Sequence, residues 1–128
     1  MLSKNYIFLF CFITLLYYSC NDVKYAHGKR SYNNFCSDCH MEDGSGVADL
    51  YPTLKSASVV QKYREIPCII RHGIYNDSSL IKMPSIPKLS NVDITNIINY
   101  ITQDMNLRHK EELLLSEVDE LLAKCPLE

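Results

Sequence analysis

Apolar residues recur at Ile94, Ile97, Ile98, Ile101 and Met105, the three- and four-residue spacing of one helix face. Ser90 stands before the run and Asp93 three positions later, the arrangement of a capping box, so an amphipathic helix is expected from Ser90 onward. Ala26–Asp38 reads as an earlier helix, with Gly28 and Tyr32 four apart on one face. Ser56–Tyr63 predicts a short helix. Pro67 suits a first helical position and Gly73 a C-terminal cap, which predicts another over Pro67–His72. A last helix is expected to begin at Ser116, with Asp119 in its first turn, and to stop before Pro126. Glu42–Leu54 carries Gly44, Gly46 and Pro52 and reads as loop. No segment alternates as a strand would. The expected class is all-α with substantial loop.

The N-terminus shows a different pattern. Lys4 precedes an uncharged run, Asn5–Asn21, whose apolar heart is Ile7–Leu16. A basic flank, a short apolar stretch and a small residue before a cut site describe an export signal. The apolar heart is shorter than the roughly 20 residues that span a bilayer, although an uncleaved anchor extending to Tyr18 is the alternative. The run ends in "YYSC", and Ser19-Cys20 resembles the lipobox of bacterial lipoproteins, in which the cysteine is lipidated and becomes the mature N-terminus. Tyr17 and Tyr18 are bulkier than usual there, and ordinary cleavage with Cys20 incidental is the plainer alternative. The expected organisation is a signal peptide over 1–19, a tether over 20–25 beginning at a lipidated Cys20, a domain over 26–105 and an extension over 106–128. The localisation this implies is periplasmic or cell-envelope, lipid-anchored to the membrane.

Composition narrows the class. A chain of 128 residues, 47% of them hydrophobic, suits one domain with a modest core. The formal net charge of −2, with no basic patch, argues against a nucleic-acid partner. Six cysteines in an exported chain invite pairing. Cys11 lies in the signal and Cys20 is the lipid candidate. Cys68 and Cys125 have three open fates: a disulfide, buried free thiols, or half of a zinc site completed by Cys36 and Cys39.

Cys36-Ser37-Asp38-Cys39-His40 is the chemically loaded stretch. A thioredoxin-like dithiol would need a preceding strand, and Tyr25–Phe35 holds no β-branched run. A zinc ribbon would need a second close pair of ligands, whereas Cys68 and Cys125 are isolated and His72 and His109 are far apart. Covalent haem attachment needs two thiols reaching one porphyrin edge and a histidine following at once, and Cys-x-x-Cys-His supplies all three. An electron-transfer iron usually takes a second axial ligand, typically Met or His. Met83 sits in "LIKMPSIPKLS", where Pro84 and Pro87 keep the chain extended. His72 is the rival, while Met41 adjoins His40 and Met105 reads as core. His27 and His109 read as surface residues without a role.

Residues 26–105 resemble a class I monohaem cytochrome c of the small bacterial type, through "GKRSYNNFCSDCHMEDGSG", "YPTL", "IIRHGI" and "KMPSIPKLSNVDITNIINYI". The resemblance implies one covalent haem c on Cys36 and Cys39, with His40 and Met83 as axial iron ligands. It implies that Gly28 and Tyr32 pack across a C-terminal helix at Tyr100. It also implies that Pro52 lends its carbonyl to His40. Ile70 is a candidate for the haem wall, with Tyr51, Leu54, Ile69, Ile74, Ile86 and Leu89; Arg71 or Lys82 could face a propionate or simply be solvated. Similar tails in some bacterial lipoprotein cytochromes imply a Cys68–Cys125 bridge. The function implied is electron transfer between membrane redox complexes of a respiratory chain, not enzyme catalysis. A haem-based sensor, a small haem subunit of an oxidoreductase complex, and a haem-free lipoprotein are the alternatives.

Overall fold

The computed structural model describes residues 24–48, 50–75, 82–106 and 111–126. The expected signal peptide over 1–19, Cys11, Cys20 and His109 lie outside the described residues. The helices are α1 (Ala26–Phe35), α2 (Ser37–His40), α3 (Ala57–Gln61), α4 (Ile66–His72), α5 (Asn91–Asn99), a π-helical continuation over Tyr100–Met105, and α6 (Leu115–Ala123). Among the described residues there is no β-strand, only the isolated bridges Val47–Tyr51 and Ile74–Met83. No described helix is long and apolar enough to cross a membrane. The fold is the small all-α type expected.

The most extensive packing joins α1 to α5. A Cβ on Gly28 would lie 2.1 Å from the Asn96 carbonyl oxygen and 2.8 Å from Tyr100 Cβ, so the two backbones meet where only hydrogen fits. Tyr32 and Tyr100 stack beside this crossing, with ring centroids 5.5 Å apart and planes tilted by 57°. Both rings are buried, and Ile94, Ile97 and Ile98 fill the rest of the seam.

Ser90 caps α5 as expected: Asp93 N–H donates to Ser90 Oγ at 3.1 Å, and Ser90 N–H donates to Asp93 Oδ2 at 3.2 Å. The Ser90 hydroxyl donates to the Asp93 carboxylate as well, and this bond foremost, with the Ser90 N–H, holds the Asp93 carboxyl below its usual range. The helix then widens instead of running straight to Met105. Asn106 N–H donates to the Ile101 carbonyl five residues back (3.2 Å), and the Asn106 amide reaches both that carbonyl and Leu54 (2.8 Å each). The first helix is also shorter than expected. It ends at Phe35, because Cys36 leaves helical geometry before the single turn of α2 begins.

Helix α6 begins one residue before the expected Ser116. Its N-cap is Leu114, whose side chain cannot cap, so the Glu117 carboxylate reaches back to the Leu114 N–H at 2.9 Å. Leu113 and Val118 are buried against the domain. Asn99 binds both backbone groups of Leu113, at 2.8 and 2.9 Å. Lys24 and Tyr25, expected in the tether, are tied to Glu112. At its far end the extension is joined to α4 by a Cys68–Cys125 disulfide spanning 57 residues. Replacing both cysteines by serine is expected to cost about 4 kcal/mol in the chain-entropy account. A lowered urea midpoint would register it, and an unchanged midpoint would mean that the bridge constrains nothing.

Candidate functional site

Cys36 closes α1 by donating its N–H to the Tyr32 carbonyl at 2.8 Å, and its own carbonyl accepts from His40 N–H at 2.9 Å. The single turn of α2 therefore winds the five-residue motif into one compact unit. Cys36 is buried and Cys39 half-buried, and neither is in a disulfide. Burial pushes the Cys36 thiol up to about 12, reinforced by neighbouring Cys39. Met41 turns the chain out of the motif at φ 64°, a left-handed conformation that costs energy outside glycine. The buried Tyr32 hydroxyl steadies it by donating to the Met41 carbonyl at 2.7 Å.

The following loop is built to hold the histidine. Gly46 N–H donates to the His40 carbonyl at 3.0 Å. Gly46 adopts φ 71°, and a Cβ there would meet the Tyr51 carbonyl oxygen at 2.3 Å. Val47 and Tyr51 exchange backbone bonds at 2.9 and 3.1 Å, which turns Pro52 back toward the motif. Asp43 bonds Ser45 N–H and Lys55, each at 3.0 Å, and these partners, Ser45 foremost, hold its carboxyl well below the usual range. The outcome is His40 Nδ1 at 3.0 Å from the Pro52 carbonyl. A carbonyl can only accept, so Nδ1 carries the proton and Nε2 keeps a free lone pair.

Beside His40 lies a cavity of about 330 Å³. Cys36, His40, Pro52, Ile70 and Met83 all line it. Cys39 is on the adjoining turn and is not part of the lining. Of the expected wall, Leu54, Ile69, Ile70 and Ile74 are present, but Tyr51, Ile86 and Leu89 are not. Leu89 is instead buried in the core and Ile86 packs against it. Val59, Ile66, Ile97 and Ile101 complete the apolar lining, and Ser58, Lys62 and Glu65 add polar groups. Ile97 and Ile101 carried a helix-face signal in sequence but none for the cavity, while Val59 and Ile66 gave no signal.

Met83 reaches the cavity from a separate segment. Ile74 N–H donates to the Met83 carbonyl at 2.9 Å, and Ile86 N–H to the Ile70 carbonyl at 2.9 Å. Gly73, at φ 81°, lets this segment pass: a Cβ there would lie 2.4 Å from the Met83 carbonyl oxygen. His72 is exposed and absent from the lining, which separates the rival ligand from the site. Arg71 and Lys82 do not line it either.

An apolar cleft bearing one oriented imidazole, one thioether and an adjoining Cys-x-x-Cys pair has the donor chemistry that suits a thioether-linked iron porphyrin. A family model described as cytochrome c oxidase, cbb3-type, subunit III matches residues 23–101, ending at Ile101 of the cavity wall. A search of curated proteins finds no match. The chain therefore belongs to the cytochrome c family, carries covalently bound haem c, and works in haem-based electron transfer.

Proposed function

We propose that this protein is a monohaem electron carrier of a respiratory chain, held at the cell envelope by lipid on Cys20. Cys36 and Cys39 would form the two thioethers, and His40 through Nε2 and Met83 through its sulfur would hold the iron. The observation that carries this reading is the convergence of His40 and Met83 on the cavity that Cys36 lines.

Haem iron supplies one-electron chemistry between its ferric and ferrous states. The chain's own residues orient and exclude. Pro52 fixes the imidazole ring through Nδ1 and leaves the Nε2 lone pair free to bind. Leu54, Ile69, Ile70 and Ile101 keep water from the cavity floor, which favours the state of lower charge. A thioether is a soft neutral donor and favours reduced iron further. Met83→Ala is expected to remove the long-wavelength ferric absorption band of thioether-ligated iron. It should also lower the midpoint potential, on the order of 0.1 V. A variant that keeps band and potential would remove Met83 from the iron.

The family description favours a second reading, a haem subunit that delivers electrons within an oxidase complex. Co-purification with integral-membrane oxidase subunits after detergent extraction would select it over a free shuttle. Intact mass of the membrane-extracted protein would report haem, lipid and disulfide together.

A further inference from the structure

Arg71 is half-buried beside the cavity but turned away from it. Its Nη1 donates to the Pro87 carbonyl at 2.8 Å and its Nη2 to Asn91 Oδ1 at 2.7 Å. Asn91 Nδ2 donates in turn to Asp119 Oδ1 at 2.6 Å. One guanidinium thus links α4, the end of the Met83 segment and the first residue of α5, and through Asn91 it reaches α6 in the extension. Two backbone bonds already hold the segment, Ile74 N–H to the Met83 carbonyl and Ile86 N–H to the Ile70 carbonyl. Pro84 and Pro87 have no N–H to add to them, so the anchor at Pro87 comes from an outside donor. Arg suits the task because its planar fork binds two acceptors at once, which an ammonium holds less rigidly.

We infer that Arg71 is a positioning residue for Met83: its bond to the Pro87 carbonyl, kept in register by Asn91 and Asp119, presses the thioether toward the cavity. The extension then has a task at the haem site, since Asp119 is its contact with this chain of bonds. The inference rests on the proposed ligation by Met83. It predicts that loosening Arg71 lets an added ligand displace the thioether more easily, because the ligand binds only the fraction of protein whose Met83 position is open, and loosening raises that fraction.

The test is a titration of the ferric holoprotein with imidazole, read together with the thioether-iron band and the thermal unfolding midpoint. Arg71→Leu is expected to bind imidazole about tenfold more tightly than the parent, with a weakened band, as expected from losing hydrogen bonds to a charged group. Asp119→Ala, at an exposed site where water screens the charge, should give about threefold. Arg71→Lys, which keeps the charge but loses the planar fork, should fall between parent and Arg71→Leu. If Arg71→Leu fails to accumulate, Asp119→Ala decides alone. A purely structural role would lower the unfolding midpoint and leave affinity and band unchanged, which overturns the inference. If Met83→Ala binds imidazole far more tightly than the parent while the Arg71 and Asp119 variants do not, ligation stands and positioning falls. A parent that titrates like Met83→Ala overturns both.

Discussion

Gly28→Val is expected to leave too little folded protein to purify, and Gly28→Ala to fold with a sharply lowered unfolding midpoint. Two effects oppose each other at this position. Alanine gains about 1 kcal/mol over glycine in a helix interior. Against that, its Cβ would sit 2.1 Å from a backbone oxygen of α5, with Tyr100 Cβ at 2.8 Å closing the way round. A flexible side chain could swing aside, but a helix backbone cannot without parting the seam that buries Tyr32, Ile94 and Ile97. Overpacking costs roughly 1–3 kcal/mol where a core can relax, and more where it cannot. Sterics therefore win for alanine, and valine adds a branch to the same collision. Total stabilities of about 5–15 kcal/mol leave room for the first substitution and not the second. Circular dichroism during thermal unfolding measures the alanine variant. A rise in its midpoint, as helix propensity alone demands, would show that α1 and α5 do not cross at Gly28.

Cys36→Ala combined with Cys39→Ala is expected to abolish haem that survives acid-acetone extraction, from about one per chain to none. The motif is the only source of free thiols among the described residues, because Cys68 and Cys125 are joined to each other. The serine pair at 68 and 125 is the control, with haem retained and stability lowered. Loss of haem should also weaken the fold. An empty apolar cavity of about 330 Å³ costs at most about 8 kcal/mol, by the slope observed for engineered core voids. That is comparable with the whole stability of such a domain. Covalently retained haem in the double variant would sink the attachment at these cysteines.

Features that rest on neighbours in sequence were legible there. The Ser90–Asp93 cap needs only residues three apart, and the structure shows both of its bonds. The Gly28 and Tyr32 face was readable from its four-residue spacing, though its partner Tyr100 came from family resemblance. Breaks in helices were not legible. The isoleucine face runs smoothly past Tyr100, and it is the Asn106 side chain, bonded to Leu54 across the fold, that accompanies the wider turns. Nothing before Cys36 announces the end of α1, since Cys36 departs from the helix only to start the haem-motif turn. The cavity wall was half legible for the same reason. Ile69, Ile70 and Ile74 stand next to a recognisable glycine, whereas Val59 and Ile66 reach the cavity through the placement of two short helices. The bonds that run from Arg71 to Pro87 and Asn91, and from Asn91 to Asp119, were hidden altogether, since these residues lie on separate elements.

The two sides of the cavity differ in how they resist opening. Ile97 and Ile101 belong to the seam that holds the domain together. Val59 sits on α3, five residues long with none of them buried, started by one cap bond of 3.4 Å from Val59 N–H to Ser56 Oγ. A helix so short has almost no stability of its own, and segments with few buried contacts open at a small fraction of the global unfolding energy. Amide protons of α3 should therefore trade with solvent long before those of α5. The cavity wall is therefore expected to yield first on the Val59 side, while the seam side stays closed.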